Sequence, residues 1–314
     1  MRSLSVAAAC CAHLLRGCRV SFAGGGRPRV PAIVVSEATQ KLVCEVFERP
    51  AVFHGQRRID RRVVAWGAGA EAVELPHAAV LISEEELVAR LQPGAVDEAP
   101  DAEWRVIAGR PLPEGVVEHA FGSRMAWAVA ADFEEPACWV ESLEAGWLFL
   151  IPGWLIAVGG APDALLGRSR VVAGQIRGTH GEIASFPAYP RIADPLSAPG
   201  WLACGSAAMA FDPICGDGTG NAVREAILAS AVIRAAGRGE AVDGLMAHYR
   251  SRLIAGFRRH LEMSLGFYRA GNGGAWWMDE IRALEHGIAW CSGELAATSA
   301  FRYRLQGFDL ERLE

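Results

Sequence analysis

Lysine is almost missing: Lys41 is the only one in 314 residues, and arginine carries nearly all of the positive charge. No stretch gathers basic residues onto one face, and a formal charge of −5 argues against a nucleic-acid surface. The eight cysteines (Cys10, Cys11, Cys18, Cys44, Cys138, Cys204, Cys215 and Cys291) include no CxxC pair. Neither a disulfide framework nor a zinc site is indicated, and a reducing cytoplasm is the expected location. The histidines form no HExxH or other compact ligand pattern, so no metal site is expected. No run approaches the roughly 20 uninterrupted apolar residues of a membrane span. The apolar segment from Ser5 to Leu15 imitates a signal peptide but contains His13 and lacks a small-residue cleavage site before Arg16. There is no internal repeat and no low-complexity tract.

With 51% hydrophobic and 21% charged residues, the chain has the composition of an ordinary globular protein. Its length accommodates two packed domains or one large one. Residues Leu4 to Arg16 read as a helix, Arg19 to Phe22 as a buried strand, and Ala23 to Pro28 as a glycine-rich turn. This is the second half of a β-α-β unit, whose apolar strand and GxGxxG turn are expected upstream of Met1. Val30 to Val35 reads as a strand, with Ser36 capping a helix from Glu37 to about Phe47. Ser83 repeats the arrangement before Glu84, Glu85 and Glu86, which favour the helix dipole. The Pro-, Asp- and Glu-rich stretch from Gln92 to Glu103 marks an internal boundary.

Short strands follow at Arg105 to Ala108, Met125 to Asp132, Cys138 to Leu143, Trp147 to Ile151 and Trp154 to Val158, the last three as antiparallel neighbours. Alternation puts Trp147, Phe149 and Ile151 on one face and Leu148 and Leu150 on the other, with both faces covered. After one more strand at Trp201 to Cys204 the C-terminal third is helical. Met246, Tyr249, Leu253, Phe257, Leu261, Leu265 and Tyr268 recur at helical spacing.

The segment richest in chemistry is WLACGSAAMAFDPICGDGTGNAVR, Trp201 to Arg224. A strand ends at Gly205, Pro213 forces a turn, and Gly216, Gly218 and Gly220 open a helix near Asn221. Glycines let a ligand approach the backbone, and free N–H groups at a helix start attract an anion or a carbonyl. Taken alone, the three glycines also suit a turn that only reverses the chain.

The whole segment resembles the second FAD motif of class A flavoprotein monooxygenases and flavin-dependent halogenases, through Gly205, Ala207, Ala208, Asp212, Pro213, Gly216, Gly218, Asn221 and Ala222. Ser206 stands where that family has an acidic residue and provides a hydrogen bond without charge assistance. GWLFLIP, Gly146 to Pro152, is similar to the GWxWxIP signature of the halogenases, with Phe149 replacing the second tryptophan. SEAT, Ser36 to Thr39, is similar to their GEAT segment, and Gly109–Arg110 to the GR after their adenine-side strand. Ala23 and Gly24 stand where an acidic residue would hold the adenosine ribose.

The resemblance implies an α/β fold: a discontinuous, Rossmann-like three-layer FAD-binding domain (1–110 and 186–236), an antiparallel substrate domain (111–185) and a helical region (237–314). It implies FAD held by Gly205, Ser206, Asp212, Pro213, Gly216, Asp217, Gly218, Thr219, Gly220 and Asn221, with NAD(P)H or a reductase as electron donor. Halogenases use a channel lysine well downstream of GEAT, whereas Lys41 follows SEAT by two residues and reads as a solvated helix charge, so monooxygenation of an aromatic ring is the expected reaction. CGDGTGNAVREAI from Cys215 and FYRAGNGGAWW from Phe267 look most like flavoproteins that hydroxylate a peptidyl tryptophan during maturation of quinone-cofactor enzymes. The substrate is thus an aromatic small molecule or a protein-borne tryptophan. A flavin-dependent reductase or halogenase-like enzyme and a non-catalytic flavoprotein-fold partner or truncated gene product are the alternatives. The tandem Trp276 and Trp277 suit either a partner-binding lip or an anchor for the C-terminal helices. Glu141 and His119 suit structural roles better than acid–base ones, and the catalytic groups stay unassigned.

Overall fold

The computed structural model describes residues 4–23, 30–92, 101–298 and 303–313. The turn expected from Ala23 to Pro28 and the boundary loop after Gln92 fall largely outside them. Two sheets organise the chain. The smaller contains β1 (Val20–Ala23), β5 (Trp104–Ile107), β14 (Trp201–Ala203) and β13 (Ser197–Ala198), in the order β1-β5-β14-β13. Its first three strands are parallel, and Val20, Val106 and Leu202 are buried as a parallel ladder covered by helices requires. Strands β1 and β5 pair directly, Val20 opposite Trp104 through Ala23 opposite Ile107.

Helix α1 (Val6–Leu14) packs against α5 (Gly218–Gly237) through small buried residues, Ala7, Ala9, Cys10 and Cys11, that let the backbones approach. Ser36 and Ser83 cap α2 (Glu37–Phe47) and α3 (Glu84–Leu91) as the sequence predicts; Ser36 Oγ accepts from Thr39 N–H at 3.3 Å and Ser83 Oγ from Glu86 N–H at 3.0 Å.

The larger sheet has eight strands, in the order β11 (Thr179–Pro187), β7 (Met125–Ala131), β10 (Trp154–Val158), β9 (Gly146–Ile151), β8 (Ala137–Leu143), β3 (Arg57–Ala65), β4 (Val73–Ile82) and β2 (Ile33–Ser36). Only β3 and β8 pair in parallel. The expected antiparallel run β8-β9-β10 is present. Strands β2, β3 and β4, from the first third of the chain, belong to this sheet too, joined through β3. One face of β9 is covered, with Leu148 and Leu150 packing with Leu155 and the short α4 (Pro162–Leu166); on the other, Trp147 joins the main core and Ile151 is buried, while Phe149 between them is half-buried.

A third sheet joins β15 (Met209–Ala210), β12 (Arg191–Asp194) and β6 (Val117–Ala120). The long α6 (Val242–Arg269) and α7 (Ala275–Ala296) form the C-terminal pair, followed by a hairpin of β16 (Tyr303–Gln306) and β17 (Asp309–Arg312) where only helix was expected. Arg234 of α5 and Arg238 at its C-cap hold that hairpin through Asp309. The mixed α/β architecture with C-terminal helices agrees with the expected class.

Candidate functional site

Pro213 begins a single turn of 3-10 helix, Pro213–Cys215, capped by Asp212, whose carboxylate accepts from Ile214 N–H at 3.0 Å. Gly216 follows with φ of 65°, a left-handed conformation that glycine adopts without penalty. A side chain on Gly216 or Gly218 would project into open space, with no atom within 4 Å of the added carbon. Gly220 differs: its Cα is packed against Thr39 and Asp217. Thr39 Oγ1 donates to Asp217 Oδ1 at 2.8 Å, so the SEAT segment at the start of α2 is tied to the turn. Arg224 donates to the other oxygen of Asp217 at 2.7 Å and to Asn221 Oδ1 at 3.1 Å. Asn221 N–H closes the first helical bond of α5, onto Asp217 O at 3.0 Å, so the amides of Gly218, Thr219 and Gly220 precede the helical ladder. They form a donor set at the positive end of a 20-residue helix.

Gly205 and Ser206 lie apart from this turn, with Gly205 buried where α1 packs against the segment after β14. Gly205 has φ of 57°, and an added Cβ would stand 2.8 Å from Ala7 Cβ, so only glycine allows α1 this close. Ser206 Oγ donates to Ala108 O at 3.4 Å. Gly205 N–H donates to Glu225 Oε2 at 2.7 Å. Burial raises the Glu225 carboxyl to about 8 against the partial offset of that N–H, and its Oε1 is buried without a partner.

Asp212 is buried in an ion network. Arg124 donates to its Oδ2 through Nε at 3.0 Å and Nη2 at 2.6 Å, and through Nη1 to Glu280 of α7, while its guanidinium lies 4.7 Å from the centre of the Tyr268 ring. Burial by itself would lower the arginine's proton affinity; Asp212, Tyr268 and Glu280 outweigh it and hold the cation charged. Asp212 N–H donates to His260 Nε2 at 2.8 Å, which fixes the neutral tautomer with its proton on Nδ1. Burial keeps His260 neutral, lowering it to about 4. Ser264, one turn later, touches Cys215 Sγ at 3.4 Å. The turn is therefore braced from below by Arg124, Glu280 and His260, none of which the sequence singled out.

The aromatic strip lies beside this brace. Trp147 Nε1 donates to Tyr268 OH at 3.3 Å, and Trp277 Nε1 to Leu143 O at 2.9 Å. Trp277 is fully buried and packs at right angles to Trp66 and Trp276, so it anchors α7 to the sheet. Glu141 is also structural: its carboxylate accepts from Ser169 Oγ and from the N–H groups of Arg170, Val171 and Val172, at 2.5 to 3.3 Å. His119 stacks on Trp290. Lys41 pairs with Glu37 at 2.8 Å on the outer face of α2, its side chain 75% exposed. Among the described residues no group of His, Cys, Asp and Glu is arranged to hold a metal ion, and no helix is long and apolar enough to cross a membrane.

No family model and no curated protein sequence matches this chain. Solved structures match it in fold. A peptidyl tryptophan dihydroxylase essential for tryptophylquinone cofactor biogenesis superposes with a TM-score of 0.72 at 19% identity, over 88% of this chain and 76% of that one. The myxobacterial chondrochloren halogenase, a variant of the FAD-dependent halogenases, gives 0.69 at 14% identity, over 93% and 89%. Aklavinone-11 hydroxylase, solved with FAD and aklavinone, gives 0.61 at 16% identity, over 85% and 68%. The chain has the fold shared by these FAD-dependent halogenases and hydroxylases.

Proposed function

We propose that the chain is an FAD-dependent oxidoreductase that hydroxylates an aromatic ring, free or borne on a protein as tryptophan. One observation carries the reading: Gly216 and Gly218 face open space at the mouth of α5 while Gly220 is packed shut, which is how a backbone receives a flat ligand edge-on. The amides of Gly218, Thr219 and Gly220 suit the carbonyl edge and ribityl oxygens of a flavin. Asp212 is committed to Arg124, so its role is to hold the turn. Ser206 is committed to the Ala108 carbonyl.

When bound, FAD supplies the redox chemistry that activates oxygen. The protein's share is placement and dryness: the brace of Arg124, Glu280 and His260 keeps the turn from yielding, and the face of β9 offers an aromatic ring an apolar wall. Lys41, paired and exposed, gives no support to halide chemistry. The test is oxygen uptake by the FAD-loaded chain supplied with NAD(P)H or a flavin reductase. Uptake that accelerates with an aromatic substrate and yields a hydroxylated product is expected. Reduction of an alkene without oxygen uptake would replace the reading with a reductase, and a chain that binds no flavin would remove it.

A further inference from the structure

One row of the eight-stranded sheet is left partly open, with a sealed row on one side of it and on the other a row sealed only at β8 and β9. Ala128, Ile156, Phe149, Val140 and Val64 are direct cross-strand neighbours on β7, β10, β9, β8 and β3, so they share a face, and each is half-buried. On one side the next row, Val158 and Trp147, is buried. On the other side Ile151 and Cys138 are buried with Ile59 and Ala79, while Ala130, Trp154 and Arg62 of the same row are half-buried. At β8 and β9 the half-buried pair Val140 and Phe149 lies between buried neighbours, Ser142 and Trp147 on one side and Cys138 and Ile151 on the other, and so floors a trough. The half-buried row continues across five strands for about 19 Å. Its far end is open, where Val73, the partner of Val64, is 55% exposed. Trp66, just past the end of β3, joins this floor to the glycine turn. It packs on Trp147, and its Nε1 donates to Phe267 O, three residues beyond Ser264, which touches Cys215.

Every floor residue is apolar, but Arg62 stands on the same face, two residues before Val64 and in register with Cys138. Its Nη2 lies 3.3 Å from His77 Nε2, and its Nε is buried with no hydrogen-bond partner. Among the described residues no carboxylate is within ion-pairing distance of it. A half-buried guanidinium facing no anion is costly unless a ligand supplies one. We propose that the trough takes a flat aromatic substrate carrying a carboxylate or comparable anionic group, with the ring on the Phe149 row and the anion on Arg62. This names the substrate class of the proposed hydroxylase and rests on that reading for the chemistry, but the binding it describes is measurable separately.

Calorimetric titration of the FAD-loaded chain with 2-naphthoate and with its neutral counterpart 2-naphthamide tests it. The acid is expected to bind about ten- to a hundredfold more tightly than the amide, and Arg62→Gln to bring the two together. Equal affinities in the unaltered protein, binding of neither, or a preference that survives Arg62→Gln would overturn the proposal. Should Arg62→Gln fail to fold by circular dichroism, Arg62→Lys keeps the charge without the fork and is expected to weaken the acid several-fold; unchanged affinity there overturns the proposal equally. Flavin absorbance of the same samples reports FAD on its own, so loss of the cofactor reading and loss of the anion site are distinguishable.

Discussion

Glu225 gives the most quantitative prediction. It is fully buried on α5 beside Cys11, Cys204 and Tyr249, with its carboxyl raised from 4.5 to about 8. Below pH 4.5 folded and unfolded chains both carry the proton and the group contributes no pH dependence. Between 4.5 and about 8 the unfolded chain releases the proton while the folded chain retains it, so stability falls as pH rises; above about 8 the loss is complete. Over that window the loss is on the order of 5 kcal/mol, a large part of the stability of an ordinary domain. Glu225→Gln keeps an acceptor for Gly205 N–H and removes the titration. Urea unfolding at pH 5, 7 and 9 should show the substituted protein gaining on the original as pH rises, level only at the acid end. Parallel pH profiles for the two proteins would refute the burial argument.

Three further outcomes follow from the same geometry. Arg124→Met strands two buried carboxylates and should destabilise the chain by about 3–5 kcal/mol in denaturant unfolding, whereas an exposed pair such as Lys41 with Glu37 should be worth under about 1 kcal/mol. Glu141→Ala removes the acceptor of three backbone N–H groups and should cost about 2–4 kcal/mol, with faster hydrogen exchange at residues 170–172. Gly205→Ala should be poorly tolerated, because the new methyl meets Ala7 and the φ is left-handed; a melting temperature unchanged from the original would contradict the packing of α1.

Much of this was legible in the sequence where the cause was local. Ser36 and Ser83 announced their helices because a cap and the amides it serves lie within three residues of each other. The face assignment of Trp147 and Phe149 followed from strand alternation alone. The glycine turn was visible because its conformational demands are written in residue type. What could not be read was long-range. Arg124, Glu280 and His260 lie 88, 68 and 48 residues from Asp212, and no spacing rule connects them. Strands β3 and β4 were missed because Arg57 to Arg62 is rich in arginine and Pro76 interrupts the second strand; the ladder forms around a bulge between Ile59 and Arg61. The ion pair of Asp212 with Arg124, 88 residues away, was likewise out of reach of any local pattern.

The most direct test of the central claim is an FAD titration, read by flavin absorbance, of the chain and of its Gly218→Leu form. The open space at Gly218 allows the larger side chain to fold without strain but places it where the flavin should lie. The account predicts that the unaltered chain binds FAD and that Gly218→Leu melts at the same temperature yet loses binding at least about tenfold, a difference of about 1.4 kcal/mol. Equal FAD affinity in the two proteins would mean that the turn faces no flavin.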